Sequence, residues 1–169
     1  MSSADRSYTL NVGCGDDTRC NVRLDLFRTA AANIVGDAQH LPFHNDVFDE
    51  VYEKNLLEHM PNPALHLVEV SRIMKRGGRL NLTTDNAACL KYYLLGTHTG
   101  GYSKHGGKDR HYALFTMEHL KNLLQFAGLA PQKMELVDTD YFTNIFDRCL
   151  RIFVPSLSYP RIYVVGSKN

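Results

Sequence analysis

Two aspartates, a glycine turn, two histidines and a tyrosine are the residues of this chain whose types and spacing could do chemistry. Leu10-Asn-Val-Gly-Cys-Gly15 reads as a buried strand running into a turn, where Gly13 and Gly15 let the backbone take positive φ and come close to a ligand. Asp25 stands near the end of the next β-rich run and Asp37 closes the one after it. A carboxylate has two oxygens that only accept, so Asp25 can receive both hydroxyl hydrogens of a ribose. Asp37, followed by the small Ala38, can receive an adenine amino group while leaving space for the ring. His59, His111 and Tyr112 are candidates to move a proton, histidine being suited to neutral pH. Each group also has a plain structural reading: a turn with two convenient glycines, strand-end turn formers, a helix-start histidine bonded to backbone.

The elements that must position these groups follow from periodicity and turn chemistry. Strands are expected over Tyr8–Val12, Val22–Phe27, Ile34–Asp37, Phe48–Lys54 and Arg79–Thr84, with a last pair over Lys133–Asp138 and Ile162–Gly166. Asn62 as N-cap and Pro63 as first helical residue open a helix expected to end at Gly77-Gly78. Further helices are expected over Asn86–Leu95 and from the cap Thr116 to Gly128. Only a few residues separate Gly15 from Val22, so a full crossover helix does not fit and a loop must stand in for it. The long connection through Asn144–Tyr159 has room for a short helix. Strands alternating with helices, then two strands in succession, imply an α/β fold with a mostly parallel sheet. In such a sheet ligands bind beyond the carboxyl ends of the strands. That rule brings the glycine turn, Asp25, Asp37, and Lys54 with Asn55 to one crevice.

At 169 residues and 44% hydrophobic, the chain can bury one sizeable core, and a single domain over 1–169 is expected. A net charge of +1 gives no electrostatic footprint for nucleic acid or an anionic membrane. No apolar run reaches the length of a membrane span and the N-terminus lacks a secretory signal core, so a cytoplasmic protein is expected. Cys14, Cys20, Cys89 and Cys149 lie far apart, and His98, His105, His111 and His119 show no ligand spacing. Neither a disulfide framework nor a metal site is expected.

These motifs, in this order, resemble those of the class I S-adenosylmethionine-dependent methyltransferases. Leu10–Gly15 looks like the first motif of that family, Val22-Arg-Leu-Asp-Leu26 like its acidic ribose-binding strand end, and Gly36–Phe43 like its adenine-side segment. Phe48–Met60 is similar to the fourth strand and its following loop, and Ile73–Leu82 to the turn into the fifth. The resemblance implies a Rossmann-like, mostly parallel sheet of seven strands with an antiparallel strand near the C-terminus and helices on both faces. It implies S-adenosylmethionine as cofactor, held by Gly13, Cys14, Gly15, Asp25, Leu26, Asp37, Ala38, Lys54 and Asn55. The shortened first crossover departs from the family pattern and points to a compact member of it.

The implied reaction is methyl transfer to an acceptor, with a small molecule or glycan-related metabolite expected. Such a displacement asks mainly for alignment and exclusion of water, and His111, Tyr112 and His59 are the candidates for a base. No appended substrate domain is visible, so recognition falls to the loops Gly96–Tyr112 and Asp140–Tyr159 or to a partner subunit. Gly96–Tyr112, long and without periodicity, is expected to act as a lid. Two other readings compete. A nicotinamide-dependent reductase needs a third glycine opening a helix and a more distant acid. A non-catalytic binding module would keep the cofactor fold and contribute a surface.

Overall fold

Seven strands hydrogen-bond into one sheet of order β3-β2-β1-β4-β5-β7-β6. The computed structural model of the chain describes residues 7–94, 110–137, 149 and 151–169. Its strands are β1 Thr9–Val12, β2 Val22–Asp25, β3 Ile34–Val35, β4 Phe48–Lys54, β5 Met74–Asp85, β6 Leu129–Val137 and β7 Arg161–Lys168. The helices are α1 Pro63–Ile73, α2 Leu90–Leu94, α3 Met117–Phe126 and α4 Pro155–Ser158, with a 3₁₀ turn at Leu57–His59. Strands β1 to β5 are parallel, while β7 runs antiparallel between β5 and β6. Among the described residues no helix is long and apolar enough to cross a membrane.

Register explains which residues go inside. Leu10 pairs with Val22 and Val51, Val12 with Leu24 and Glu53, and Leu80 and Leu82 follow on β5. Successive side chains alternate across a sheet, so these residues share one face, and that face carries the core with Leu67, Val70, Leu120 and Leu124 from α1 and α3. Asn62 caps α1 by accepting the Leu65 amide at 3.1 Å, and Thr116 caps α3 by accepting the His119 amide at 3.3 Å. The opposite face is polar, with Asn11, Tyr52 and Asn81 in register across β1, β4 and β5 and the Tyr163 hydroxyl of β7 donating to Asn81 Oδ1 at 3.0 Å. Right-handed crossovers from β1 towards β3 would lie on that side. The described connections from β1 to β4 are all loops, so this half of the chain places no helix there.

Several boundaries differ from the periodicity reading. Helix α1 stops at Ile73 rather than at Gly77-Gly78, because Met74 is already extended and pairs with Phe48. Lys75 to Gly78 then bulge out before Arg79 resumes the ladder opposite Glu50. Strand β6 begins at Leu129 and passes through Pro131, which an edge strand tolerates at a register shift. Helix α2 starts at Leu90, not Asn86. Asn86 instead donates its amide to Pro160 and its side-chain amide to the Ser156 and Tyr159 carbonyls, binding the end of β5 to the start of β7. The expected lid, apart from Arg110–Tyr112, falls outside the described residues, as does Asp138, the expected end of the Lys133–Asp138 strand.

Candidate functional site

Beyond the carboxyl ends of β1 to β4 lies a cavity of about 800 Å³. Its shape begins at the turn after β1. Gly13 has φ 65° and Gly15 φ 51°, a region that side chains rarely adopt. A Cβ on Gly13 would come 2.7 Å from Leu56 Cδ1, whereas one on Gly15 would meet nothing within 4 Å. Gly13 therefore allows the loop after β4 to pack against the turn, while Gly15 leaves the cavity open beside the backbone. The Gly13 and Cys14 amides donate to the Leu24 carbonyl, Asp25 Oδ2 accepts the Gly15 amide at 2.8 Å, and the Thr29 hydroxyl donates to the Gly15 carbonyl. The end of β2 and the loop that follows it thus fix the turn.

Gly13, Gly15, Asp25, Leu26, Asp37, Ala38, Asn55, His59 and Tyr112 all line the cavity. Cys14, Lys54 and His111, also expected at the site, are not part of its lining. Cys14 turns into the core and is 5% exposed, and Lys54 projects from the polar side of β4. Phe27, Gln39, Leu56, Met60, Pro61 and Arg110 line it too, and the sequence reading did not single them out. Phe27, two residues beyond an acidic strand end, and Leu56, beside Asn55, carry the only signals that could have found them.

The polar wall is held in place by its own backbone. Asp25 Oδ1 accepts the Phe27 amide at 3.0 Å, so each carboxylate oxygen has one amide and lone-pair capacity left for a ligand. Asp37 Oδ1 accepts the Gln39 amide at 2.8 Å, and this bond, with His40 nearby, holds its carboxyl below the usual range. Asn55 adopts φ 53°, donates its amide to Thr83, and buries its Oδ1 with no hydrogen-bond partner among the described residues. Leu26 and Phe27, two apolar residues of the lining, are 60% and 58% exposed.

Beneath the Gly36–Phe43 segment, His66 of α1 is wholly buried. Its Nδ1 lies 3.0 Å from the Ala38 carbonyl and its Nε2 2.7 Å from Glu53 Oε2. A carbonyl only accepts, so Nδ1 carries a proton. Burial opposes the imidazolium, but the Glu53 carboxylate and the Ala38 carbonyl outweigh it and hold His66 above its ordinary value. The pair ties Ala38 to the end of β4. Arg72, paired with Glu69, likewise donates to the Leu41 and Phe43 carbonyls and pins the segment that follows.

Beside the cavity, which His59 lines, His59 and His111 meet edge to face, their ring centroids 4.7 Å apart. The Tyr112 amide donates to the Glu58 carbonyl at 2.8 Å, which joins residues 110–112 to the 3₁₀ turn. Glu58 is 1% exposed and accepts the Thr84 hydroxyl at 2.7 Å. Burial, with Asp85 adding its charge, pushes the Glu58 carboxyl up to about 8. Neither Glu58 nor Asp85 carries a motif that sequence reading recognises.

Comparison with known proteins bears on this geometry. Residues 18–82 match the family model of a methyltransferase domain, beginning just past the glycine turn. No curated protein matches. Among solved structures, the chain is similar to an S-adenosylmethionine-dependent methyltransferase of Mesorhizobium loti, with TM-score 0.66, 18% identity, and coverage of 95% of this chain and 90% of that one. A methyltransferase of Thermotoga maritima gives TM-score 0.68 at 18% identity, covering 98% and 84%. One of Methanosarcina mazei gives 0.63 at 14% identity, covering 97% and 93%. The fold is that of the class I S-adenosylmethionine-dependent methyltransferases, and the cofactor it implies is S-adenosylmethionine.

Proposed function

We propose that this chain, which carries the class I methyltransferase fold, binds S-adenosylmethionine and transfers its methyl group to a small-molecule acceptor. The observation that carries the reading is the gathering of Gly13, Gly15, Asp25, Asp37, Ala38 and Asn55 around one cavity at the ends of four adjacent parallel strands. The cavity suits the cofactor: two carboxylates, a buried acceptor oxygen at Asn55, exposed apolar side chains at Leu26 and Phe27, and space beside Gly15. Asp25 would hold the ribose hydroxyls, Asp37 and Ala38 the adenine edge, and the glycine turn the methionine portion. When bound, the cofactor supplies an electrophilic methyl group on a positively charged sulfur.

The chain's own part is alignment and exclusion of water. His59, Met60, Pro61 and Tyr112 also line the cavity and would frame the acceptor. The loop after Gly15 argues against a nicotinamide dinucleotide. A pyrophosphate is ordinarily received at a helix N-terminus, and here the β1 to β2 connection contains no helix. Calorimetric titration with S-adenosylmethionine, its demethylated product and reduced nicotinamide nucleotides tests the reading. Binding of the first two supports it, and binding of the nucleotide alone overturns it.

A further inference from the structure

We propose that Glu58, His59 and His111 form a binding site for a divalent transition-metal ion, with Asp85 as the carboxylate that orients His111. One ligand atom from each of the three residues lies within 4.8 Å of the others. Bonds of about 2 Å in tetrahedral geometry set neighbouring ligand atoms roughly 3.4 Å apart. Small side-chain rotations therefore close the three donors on an ion.

The supporting contacts are those that a metal site needs. His59 Nδ1 lies 3.0 Å from the Arg110 carbonyl, which can only accept, so the proton sits on Nδ1 and the ring's lone pair on Nε2. His111 Nδ1 stands 3.6 Å from Asp85 Oδ2, beyond a hydrogen bond but close enough that a small rotation would bring the carboxylate to orient a ligating imidazole. Thr84 donates to Glu58 Oε2, leaving Oε1 as the second carboxylate oxygen. Glu58 and Asp85 bring two carboxyl groups into nearly water-free surroundings, and the described cation near them is Arg161, whose Nε is 3.7 Å from Asp85 Oδ1.

Two imidazoles and one carboxylate select zinc, cobalt, iron or manganese over magnesium and calcium, which prefer oxygen alone. His59 lines the cavity, so the ion borders the space in which an acceptor would lie. The histidines then act through the ion and not as a general base. The sequence carries no spacing for this site because its donors come from the turn after β4 and from the residues leading to α3, segments distant in sequence that meet through the Tyr112 to Glu58 backbone bond and the His59 to Arg110 contact.

The test uses the full chain, stripped with a chelator, without S-adenosylmethionine, so that its outcome is independent of the cofactor reading. Titration with Co²⁺ is followed by visible absorption and by the proton NMR of the paramagnetic protein. Equilibrium dialysis measures Zn²⁺, Mg²⁺ and Ca²⁺. The expected result is one equivalent of Co²⁺ or Zn²⁺, hyperfine-shifted exchangeable N–H signals from both imidazoles, and no comparable uptake of Mg²⁺ or Ca²⁺. Asp85→Asn should weaken the binding of Co²⁺ about tenfold or more, as loss of an orienting carboxylate does, and His111→Gln should abolish the signal of its ring. Asp25→Ala should leave the cobalt spectrum unchanged. No bound ion in the wild-type chain, or a cobalt spectrum of thiolate type lacking imidazole N–H signals, overturns the proposal.

Discussion

The Asp25 carboxylate holds the Gly15 amide at 2.8 Å, so the acid at the end of β2 and the turn after β1 are one unit. The same carboxylate accepts the Phe27 amide at 3.0 Å. The acid proposed to meet a ribose is therefore also the group that shapes the loop beside it.

That double use separates two substitutions. Asp25→Ala removes the acceptor of two amides as well as any bond to a ligand, and should lower stability by about 1–3 kcal/mol and cofactor affinity by more than tenfold. Asp25→Asn keeps one acceptor oxygen and should lose less of both. Denaturant melts and calorimetry on the two variants check this, and equal loss in both would show that the charge, not the geometry of the acceptor, dominates.

The two glycines should fail differently. Gly13→Ala places a methyl group 2.7 Å from Leu56 Cδ1 at φ 65°, so the loss is chiefly of stability as the loop after β4 is displaced. Gly15→Ala meets no neighbour within 4 Å and bears only the strain of φ 51°, about 1–2 kcal/mol. Gly15→Val should fold and lose cofactor binding, because its side chain occupies the open space beside the turn. Thermal melts paired with calorimetry distinguish the patterns.

Much of this was legible in the sequence because it is local. The strand ending at Val12, the cap at Asn62 with Pro63 and the cap at Thr116 depend on contiguous residues, and the cavity wall from Gly13 to Asn55 follows from parallel strands ending on one rim. Where α1 ends was not legible. Gly77-Gly78 is as good a helix stop as a bulge, and the pairing of Met74 with Phe48 decides between them. The cluster of Glu58, His59 and His111 was not legible either, since distant segments meet there and no periodicity reports on a meeting of loops. No motif singles out His66 on α1, and its burial against Glu53 follows from the packing of α1 on β4.

The His66 to Glu53 pair gives the chain a pH dependence of defined sign. Burial works against the charged imidazole, yet Glu53 and the Ala38 carbonyl raise His66 above its ordinary value. The folded state thus binds the proton more tightly than the unfolded one. The stabilisation is complete below the ordinary imidazole range and is lost as pH rises through the folded value. The free energy by which wild type exceeds His66→Gln should shrink from pH 6 to pH 9, measured by urea denaturation. A gap that is constant with pH would mean that the pair does not exchange its proton over this range. His66→Gln should also weaken cofactor binding, because Ala38 loses its anchor.

The central claim is that the cavity at the ends of β1 to β4 is a site for S-adenosylmethionine, and calorimetry on the wild-type chain tests it most directly. Saturable binding of S-adenosylmethionine and of its demethylated product at one site, reduced in Asp25→Ala and abolished in Gly15→Val, is the predicted result. Absence of binding by both ligands, or undiminished binding in Gly15→Val, would contradict it.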